Sequence, residues 1–285
     1  MPDKPTRGAV LVTGASTGIG RACVEHLDGL GFTVFAGVRR QQDADSLRAA
    51  GSERMQPVTL DVTESDSIAS ALQRIEADAP GGLAGLVNNA GVAFGGPLEF
   101  VPIESWRSQL EVNFIGQVAV TQAALPALRR GRGRVVNVTS IGGRVASPYF
   151  GPYNASKFAL EAVTDSLRRE LRGTGIEVIA IEPGAVATPI WGKGRSTAEQ
   201  MVADMPPDGE RLYGEGIEAM RKVVSQLERS GIAPLQVARA VEHALTARRP
   251  KTRYVVGRDA HVQLIVSRLL PTRLMDRLIV RAMGA

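Results

Sequence analysis

Tyr153 and Lys157 are the residues of this chain whose types and spacing most directly offer chemistry. They bound the segment YNASK and stand four positions apart, slightly more than one helical turn. Both side chains therefore fall on one face of a helix. A free phenol, with a pKa of about 10, is a poor base at neutral pH. An ammonium one turn away favours the phenolate and lowers that pKa, so the pair would serve as a general acid in one direction and a general base in the other. Tyr and Lys at this spacing also occur on plain solvated helices, so the elements around the pair must discriminate.

A second chemical feature is the glycine turn TGASTGIG, Thr13 to Gly20. It follows a β-branched apolar run and opens a helix-like stretch. Gly14 suits the tight turn. Gly18 and Gly20 let the backbone approach a pyrophosphate and pack close to a sheet. The helix that follows offers backbone N–H groups and the positive end of its dipole to an anion. Ser16 and Thr17 can add hydroxyl contacts. Glycine turns also make ordinary strand-to-helix connections, but the strand–turn–helix context here favours a dinucleotide.

The elements that must position these residues alternate along the chain. Strand-like runs occupy 8–14, 32–38, 55–62, 83–91, 133–140, 176–184 and 252–257, with helix-length amphipathic stretches between them. Continuous apolar runs indicate strands buried on both faces. The βαβα order predicts a single α/β domain over residues 1–260, a Rossmann-type doubly wound parallel sheet of about seven strands. Residues 188–215 break the rhythm with polar residues, Gly and Pro. They follow a strand on the ligand-binding side of such a sheet and read as a substrate lid, with a surface insertion as the alternative. Trp191, Met201, Met205 and Tyr213 would either line an apolar pocket or pack this lid onto the domain.

Composition excludes several classes. The net charge is +5, but basic residues are scattered and aromatics are only 5%, so no nucleic-acid partner is expected. The single cysteine, Cys23, permits no internal disulfide and reads as a buried thiol. His26, His243 and His261 make no metal-binding pattern, and no metal is expected. The start MPDKPTRG is polar, and no apolar run is long enough to span a bilayer. A cytoplasmic protein is the expectation. Residues 261–285 form a basic amphipathic tail. Leu274 and Leu278 lie on one side, and Arg273, Arg277 and Arg281 form a stripe. Peripheral membrane contact, packing on the domain and a subunit interface all remain open for it.

Taken together, Thr-Gly-x-x-x-Gly-Ile-Gly, NNAG at 88–91, Ser140 thirteen residues before Tyr153, and the YNASK segment resemble the short-chain dehydrogenase/reductase family. The resemblance runs from about residue 8 to 257. VFAGVRR and YNASKFALEAV look like its retinol and hydroxysteroid dehydrogenase branch. The resemblance implies an NAD(P)-dependent oxidoreductase moving a hydride between the cofactor and a lipophilic secondary alcohol or ketone. It implies catalytic roles for Asn113, Ser140, Tyr153 and Lys157: Ser140 holds the substrate oxygen, Lys157 also binds the nicotinamide ribose, and Asn113 holds a relay water. Cofactor contacts are implied for Gly14, Ser16, Thr17, Gly18, Ile19 and Gly20, for Asp61 and Val62 beside the adenine, and for Asn89, Ala90 and Gly91. They are implied likewise for Pro183, Gly184, Val186 and Thr188 around the nicotinamide. Asn88 and Asn89 read as braces of the sheet rather than substrate contacts.

Val38 stands where NAD-preferring relatives carry Asp, and Arg39 and Arg40 follow. A guanidinium can take a phosphate bidentately, which favours NADP(H), with NAD(H) as the alternative. The family also implies a homodimer or homotetramer built on the long helices near 104–128 and 153–172. Two competing readings are a silent cofactor-binding regulator and an epimerase or dehydratase on the same fold. The filled Ser140, Tyr153 and Lys157 positions and the short segment beyond residue 185 argue against them.

Overall fold

All seven strand-like runs pair in one parallel sheet. The computed structural model describes residues 7–190, 192 and 195–282. The strands are β1 (Ala9–Val12), β2 (Thr33–Val38), β3 (Met55–Thr59), β4 (Leu83–Asn88), β5 (Arg134–Val138), β6 (Glu177–Pro183) and β7 (Arg253–Val256). Their order is β3-β2-β1-β4-β5-β6-β7. The order reverses between β1 and β4, which opens a ligand crevice at the carboxyl ends of these two strands. Val12 pairs with Ala36 on one side and Val87 on the other, and Asn88 lies beside Asn137. Most strands stop short of their apolar runs because the polar and Gly residues that follow turn away into the crevice.

Both faces of the sheet are covered, which is why the strands read as unbroken apolar runs. Val10 and Val12 face a layer holding Val24 and Leu27 of α1 (Gly18–Gly29), Leu47 of α2 (Gln41–Ala50) and Val241 of α9 (Pro234–Thr246). The alternate residue Leu11 faces Ile75 of α3 (Ser65–Asp78) and Val120 of α5 (Gly116–Gly131) on the other side. Cys23 lies fully inside the first layer, and burial pushes its thiol up to about 12. It is a packing residue, as its place on α1 suggests.

The helix α4 (Ile103–Leu110) runs into α5 through a π-helical turn, Glu111–Ile115. There the Gly116 N–H bonds the carbonyl of Glu111, five residues back. Such one-turn π segments recur at functional sites, and this one contains Asn113. The long helix α6 (Gly151–Glu170) carries Tyr153 and Lys157 near its start.

The segment read from sequence as an interrupted lid folds as two helices, α7 (Arg195–Ala203) and α8 (Pro207–Ser230), the second running well past residue 215. Pro206 and Pro207 stand at the start of α8, where a missing N–H is tolerated. Two of its glycines are packing seats rather than breakers. A Cβ on Gly209 would lie 2.4 Å from Met205 Cγ, and one on Gly216 would lie 1.7 Å from the Tyr149 hydroxyl. The tail forms α10 (Arg258–Leu269) and α11 (Thr272–Ala282), separated at Pro271. Met275 and Ile279 pack α11 against Ile141, Val145 and Ala260, while Leu274, Leu278 and Val280 stay exposed. Among the described residues, no helix is long and apolar enough to cross a membrane.

Candidate active site

The ends of β5 and β6, the first turn of α1 and the start of α6 enclose a cavity of about 260 Å³. Ser140, Tyr153 and Lys157 share one of its walls. Ser140 follows β5 in extended conformation, and its Oγ accepts the Gly142 N–H at 3.0 Å, so it caps the short 3-10 turn Ile141–Gly143. The same side chain is hydrogen-bonded to the Tyr153 phenol. Gly142 lies against that ring: a Cβ there would sit 3.3 Å from Tyr153 Cε1. Lys157 is 4% exposed, and its Nζ donates to the Val138 carbonyl at 2.9 Å. The ammonium lies 6.0 Å from the centre of the Tyr153 ring.

Burial dominates the electrostatics of the pair. It raises the Tyr153 phenol above its ordinary value, and the Ser140 hydrogen bond only partly opposes this. The lowering of the phenol expected from Lys157 is not what the structure gives: the phenol lies above its ordinary value. The amine is the group brought down, to about 8, because burial penalises its charge while Glu161 partly restores it. At neutral pH the wall thus carries a protonated phenol bonded to a serine hydroxyl, with an ammonium behind it. A protonated phenol aimed into a cavity is a proton donor.

Asn113 does not line this cavity. It is fully buried behind it, donating from Nδ2 to the Val92 carbonyl at 2.9 Å and to Ser156 Oγ at 3.0 Å. Its Oδ1 accepts the Val92 N–H at 2.8 Å. The side chain therefore ties the π turn both to the loop after β4 and to α6. Any water held at Asn113 would have to meet its backbone, not its amide.

The glycine turn fits a dinucleotide. Gly14 and Gly18 have φ of +64° and +58°, in the left-handed region that favours glycine. Helix α1 begins without a side-chain cap and without an acidic residue in its first turn, which leaves the end of its dipole suited to an anion. Gly20 has another task. A Cβ there would stand 2.2 Å from the Gly14 carbonyl oxygen, so it allows α1 to close on the strand end. Thr13 Oγ1 accepts the N–H groups of Asn89 and Ala90, both at 2.9 Å, and Asn89 Nδ2 donates to the carbonyls of Thr13 and Gly14. These bonds lock the glycine turn to NNAG. Asn88 braces the sheet as expected, donating to Thr121 Oγ1 and Asn137 Oδ1.

Ile19, Asn89, Gly91, Pro183, Gly184, Val186 and Thr188 line the same cavity as Ser140, Tyr153 and Lys157. Val62 instead packs on α5, where a Cβ at Gly116 would meet its carbonyl at 2.5 Å. Asp61 accepts from Thr63 through Oδ1, and its Oδ2 lies 3.8 Å from Arg39 Nη1. Arg40 sits at the amino end of α2.

Sequence reasoning missed Asp259. From the first turn of α10 its Oδ2 accepts the Ala185 N–H at 2.7 Å and pins the turn after β6. Asp259 is 74 residues from Ala185, and an Asp in a first helical turn carries no local sign of such a partner. Phe150, just before α6, was also missed. It lines both this cavity and a second one of about 300 Å³ under α7 and α8. Met201 lines the second cavity, whereas Tyr213 bonds Glu99 and stacks edge-on with Phe100, which holds α8 to the loop before α4. Trp191 lies outside the described residues.

Comparison with known proteins identifies the family. The family model described as short chain dehydrogenase matches residues 8–199. The chain belongs to the short-chain dehydrogenase family. It is 39% identical over 280 residues to 17-beta-hydroxysteroid dehydrogenase type 6 of Bos taurus, covering 96% of this chain and 88% of that protein. It is likewise 39% identical to retinol dehydrogenase 16 of Homo sapiens, covering 94% and 86%. A short chain dehydrogenase from Burkholderia cenocepacia in complex with NADP superposes with a TM-score of 0.71 at 28% identity, covering 96% and 97%. A short chain dehydrogenase/reductase from Burkholderia phymatum in complex with NAD gives 0.77 at 25% identity, covering 91% and 92%.

As a short-chain dehydrogenase, this protein is a nicotinamide-dependent oxidoreductase acting on alcohols or ketones. The three histidines of the family member lie elsewhere: His26 meets Glu242, His243 meets Tyr254, and His261 meets the Gly257 carbonyl. Among the described residues no group of His, Cys, Asp and Glu is arranged to hold a metal.

Proposed function

We propose that this short-chain dehydrogenase interconverts a lipophilic secondary alcohol and its ketone, of steroid or retinoid character, with NADP(H) as the preferred cofactor. The observation that carries the reading is the Ser140–Tyr153 hydrogen bond at the wall of an apolar cavity, with Lys157 buried behind it. A bound nicotinamide would supply a hydride to the carbonyl carbon, or accept one from the alcohol. Ser140 then orients the substrate oxygen, and Tyr153 protonates it as negative charge develops. Lys157 supplies positive charge beside the phenol and a donor for a ribose hydroxyl. The glycine turn cradles the pyrophosphate, Asp61 and Val62 flank the adenine, and the turn at Pro183–Thr188 closes over the nicotinamide. Asn113 holds the wall in register from behind and offers its backbone to a relay water.

Cavity shape supports a lipophilic substrate. The second cavity, beyond Phe150, has Met201, Ile217, Met220 and Val224 along its lining, with Glu199, Arg221 and Ser225 as its polar members. The relatives named as hydroxysteroid and retinol dehydrogenases point the same way. Each methylene buried there contributes about 0.8 kcal/mol. A steroid or retinoid ketone is therefore expected to exceed a small ketone by at least about a hundredfold in kcat/KM, measured by NADPH oxidation. Equal values would remove the lipophilic assignment.

For the cofactor, Arg39 is 62% exposed and only loosely paired with Asp61, so its guanidinium is available to a 2′-phosphate. Arg39→Ala is expected to weaken NADPH by about tenfold or more while changing NADH by less than about twofold. Equal losses would refute the phosphate role.

The substrate lid is the segment from about 188 to 215, with α7 and the first turns of α8; farther along, α8 lines both cavities, through Val223 and Leu227 in the first and Ile217 and Met220 in the second. Exposed Ile103, Ile115 and Phe158 on α4, the π turn and α6 supply the apolar surface of a homodimer or homotetramer. On α10 and α11, exposed Val262, Ile265, Leu269, Leu274 and Leu278 accompany Arg268, Arg273 and Arg277. That combination suits peripheral contact with an anionic membrane by an otherwise cytoplasmic enzyme. In flotation with anionic liposomes, Leu274→Glu/Leu278→Glu is expected to lose the binding of the wild type. Equal flotation would exclude this contact.

A further inference from the structure

Beyond the catalytic wall lies a partly buried ion network that none of the roles above uses. Arg253, on β7, pairs with Glu161 Oε2 at 2.8 Å, Asp165 Oδ1 at 2.7 Å and Glu182 Oε1 at 2.9 Å. Arg144, at the end of the 3-10 turn, reaches Glu182 Oε1 at 2.9 Å. Glu182 is fully buried and Glu161 is 6% exposed. The second oxygens, Glu161 Oε1 and Glu182 Oε2, are buried without a hydrogen-bond partner among the described residues. Burying such groups is costly unless pairing and hydrogen bonds offset it, and these two oxygens are left without a hydrogen bond among the described residues.

The network joins the segments that carry the site. Arg144 follows Ser140 by four residues, Glu161 follows Lys157 by four, and Glu182 directly precedes Pro183 and Gly184. Gly143 makes the junction close. A Cβ there would lie 2.9 Å from the Lys157 carbonyl oxygen and 3.1 Å from Glu161 Cγ. We propose that Glu161 is a positioning residue for the reaction: held by Arg253, it stands as the counter-charge one turn from Lys157 and fixes the Ser140, Lys157 and Pro183 segments to one another.

The charges around Lys157 allow this. Helix α6 contributes Tyr153, Glu161 and Asp165, the last also paired with Arg168. The turn after β5 contributes Arg144, β6 Glu182 and β7 Arg253. Across the cavity, Asp259 is engaged by the Ala185 N–H. From the π turn, the residue meeting α6 is neutral Asn113, bonded to Ser156. Glu104 and Arg107 of α4 pair with each other on the surface. Glu161, one helical turn from Lys157 and with one oxygen left over, is the group that opposes the amine's burial. Neighbouring Glu182 is itself raised, chiefly by burial and then by Glu161.

The inference rests on the role proposed above for Lys157, and the test separates the two. The chain has five lysines, so side-chain labelling with carbon-13 at Cε gives five resolvable titrations in the full-length, cofactor-free protein. Loss of one signal in Lys157→Met assigns the residue. Glu161→Gln is expected to move the Lys157 midpoint below about 8 by about half a unit or more, with Glu161→Asp recovering most of it. The alkaline limb of kcat should move in the same direction. An unchanged midpoint in Glu161→Gln, with lost thermal stability alone, overturns the inference. Should Glu161→Gln not be recovered folded, Asp165→Asn decides. It lets Arg253 turn more fully onto Glu161 and should give a smaller downward shift, and no shift overturns the inference. Full turnover by Lys157→Met would overturn the role of Lys157 without altering the titration.

Discussion

Tyr153→Phe is expected to lower turnover by about a thousandfold while leaving NADPH affinity within about threefold of wild type. The substitution removes one oxygen from a ring that Gly142 and the start of α6 already hold in place. Ser140 keeps its bond from the Gly142 N–H, so the wall does not collapse. What disappears is the phenol that burial keeps protonated at neutral pH, and with it the proton for the developing alkoxide. Because the loss is of a group acting in the transition state, kcat should fall far more than KM rises. Single-turnover absorbance of bound NADPH checks this. A variant with wild-type kcat would require the proton to come from elsewhere.

Lys157→Met should separate stability from activity. Burial holds the amine down at about 8 against its ordinary 10.5, a gap equivalent to about 3 kcal/mol against folding at neutral pH. Below pH 8 both the folded and the unfolded chain carry the proton, and the full cost stands. Between about 8 and 10.5 the folded chain has released the proton while the unfolded chain retains it, so the cofactor-free enzyme gains stability as pH rises. Methionine removes that cost but leaves the Val138 carbonyl without its donor, a loss of about 1–2 kcal/mol. The net expectation is a variant about 1 kcal/mol more stable at neutral pH, with a flatter pH–stability curve and turnover reduced at least about a hundredfold. Urea unfolding across this pH range measures both parts. A strongly destabilised variant would mean that Lys157 is a structural residue.

Much of this was legible because the physics was local. Apolar runs buried on both faces announced the strands, and the spacing of Gly14, Gly18 and Gly20 announced the turn. Ser140 and Tyr153 could be paired only because their separation resembles that of the family, and they do meet. What escaped were long-range relations. Asp259 reaches Ala185 from a helix that no local pattern connects to the site. The helicity of the lid was hidden by glycines that serve as seats for Met205 and Tyr149 rather than as breaks. The pKa order was misjudged because spacing reveals that an ammonium is near but not how deeply the phenol is buried. Asn113 illustrates the middle case: its position was readable, yet the π turn and its bonds to Val92 and Ser156 required the fold.

Incubation with NADPH deuterated at the reactive nicotinamide carbon, together with steroid, retinoid and small ketones, tests the central claim most directly. Mass spectrometry of the products should find deuterium on the carbinol carbon of a lipophilic secondary alcohol, formed by the wild type and not by Tyr153→Phe. Absence of label from every product, or label on small alcohols alone, would contradict it.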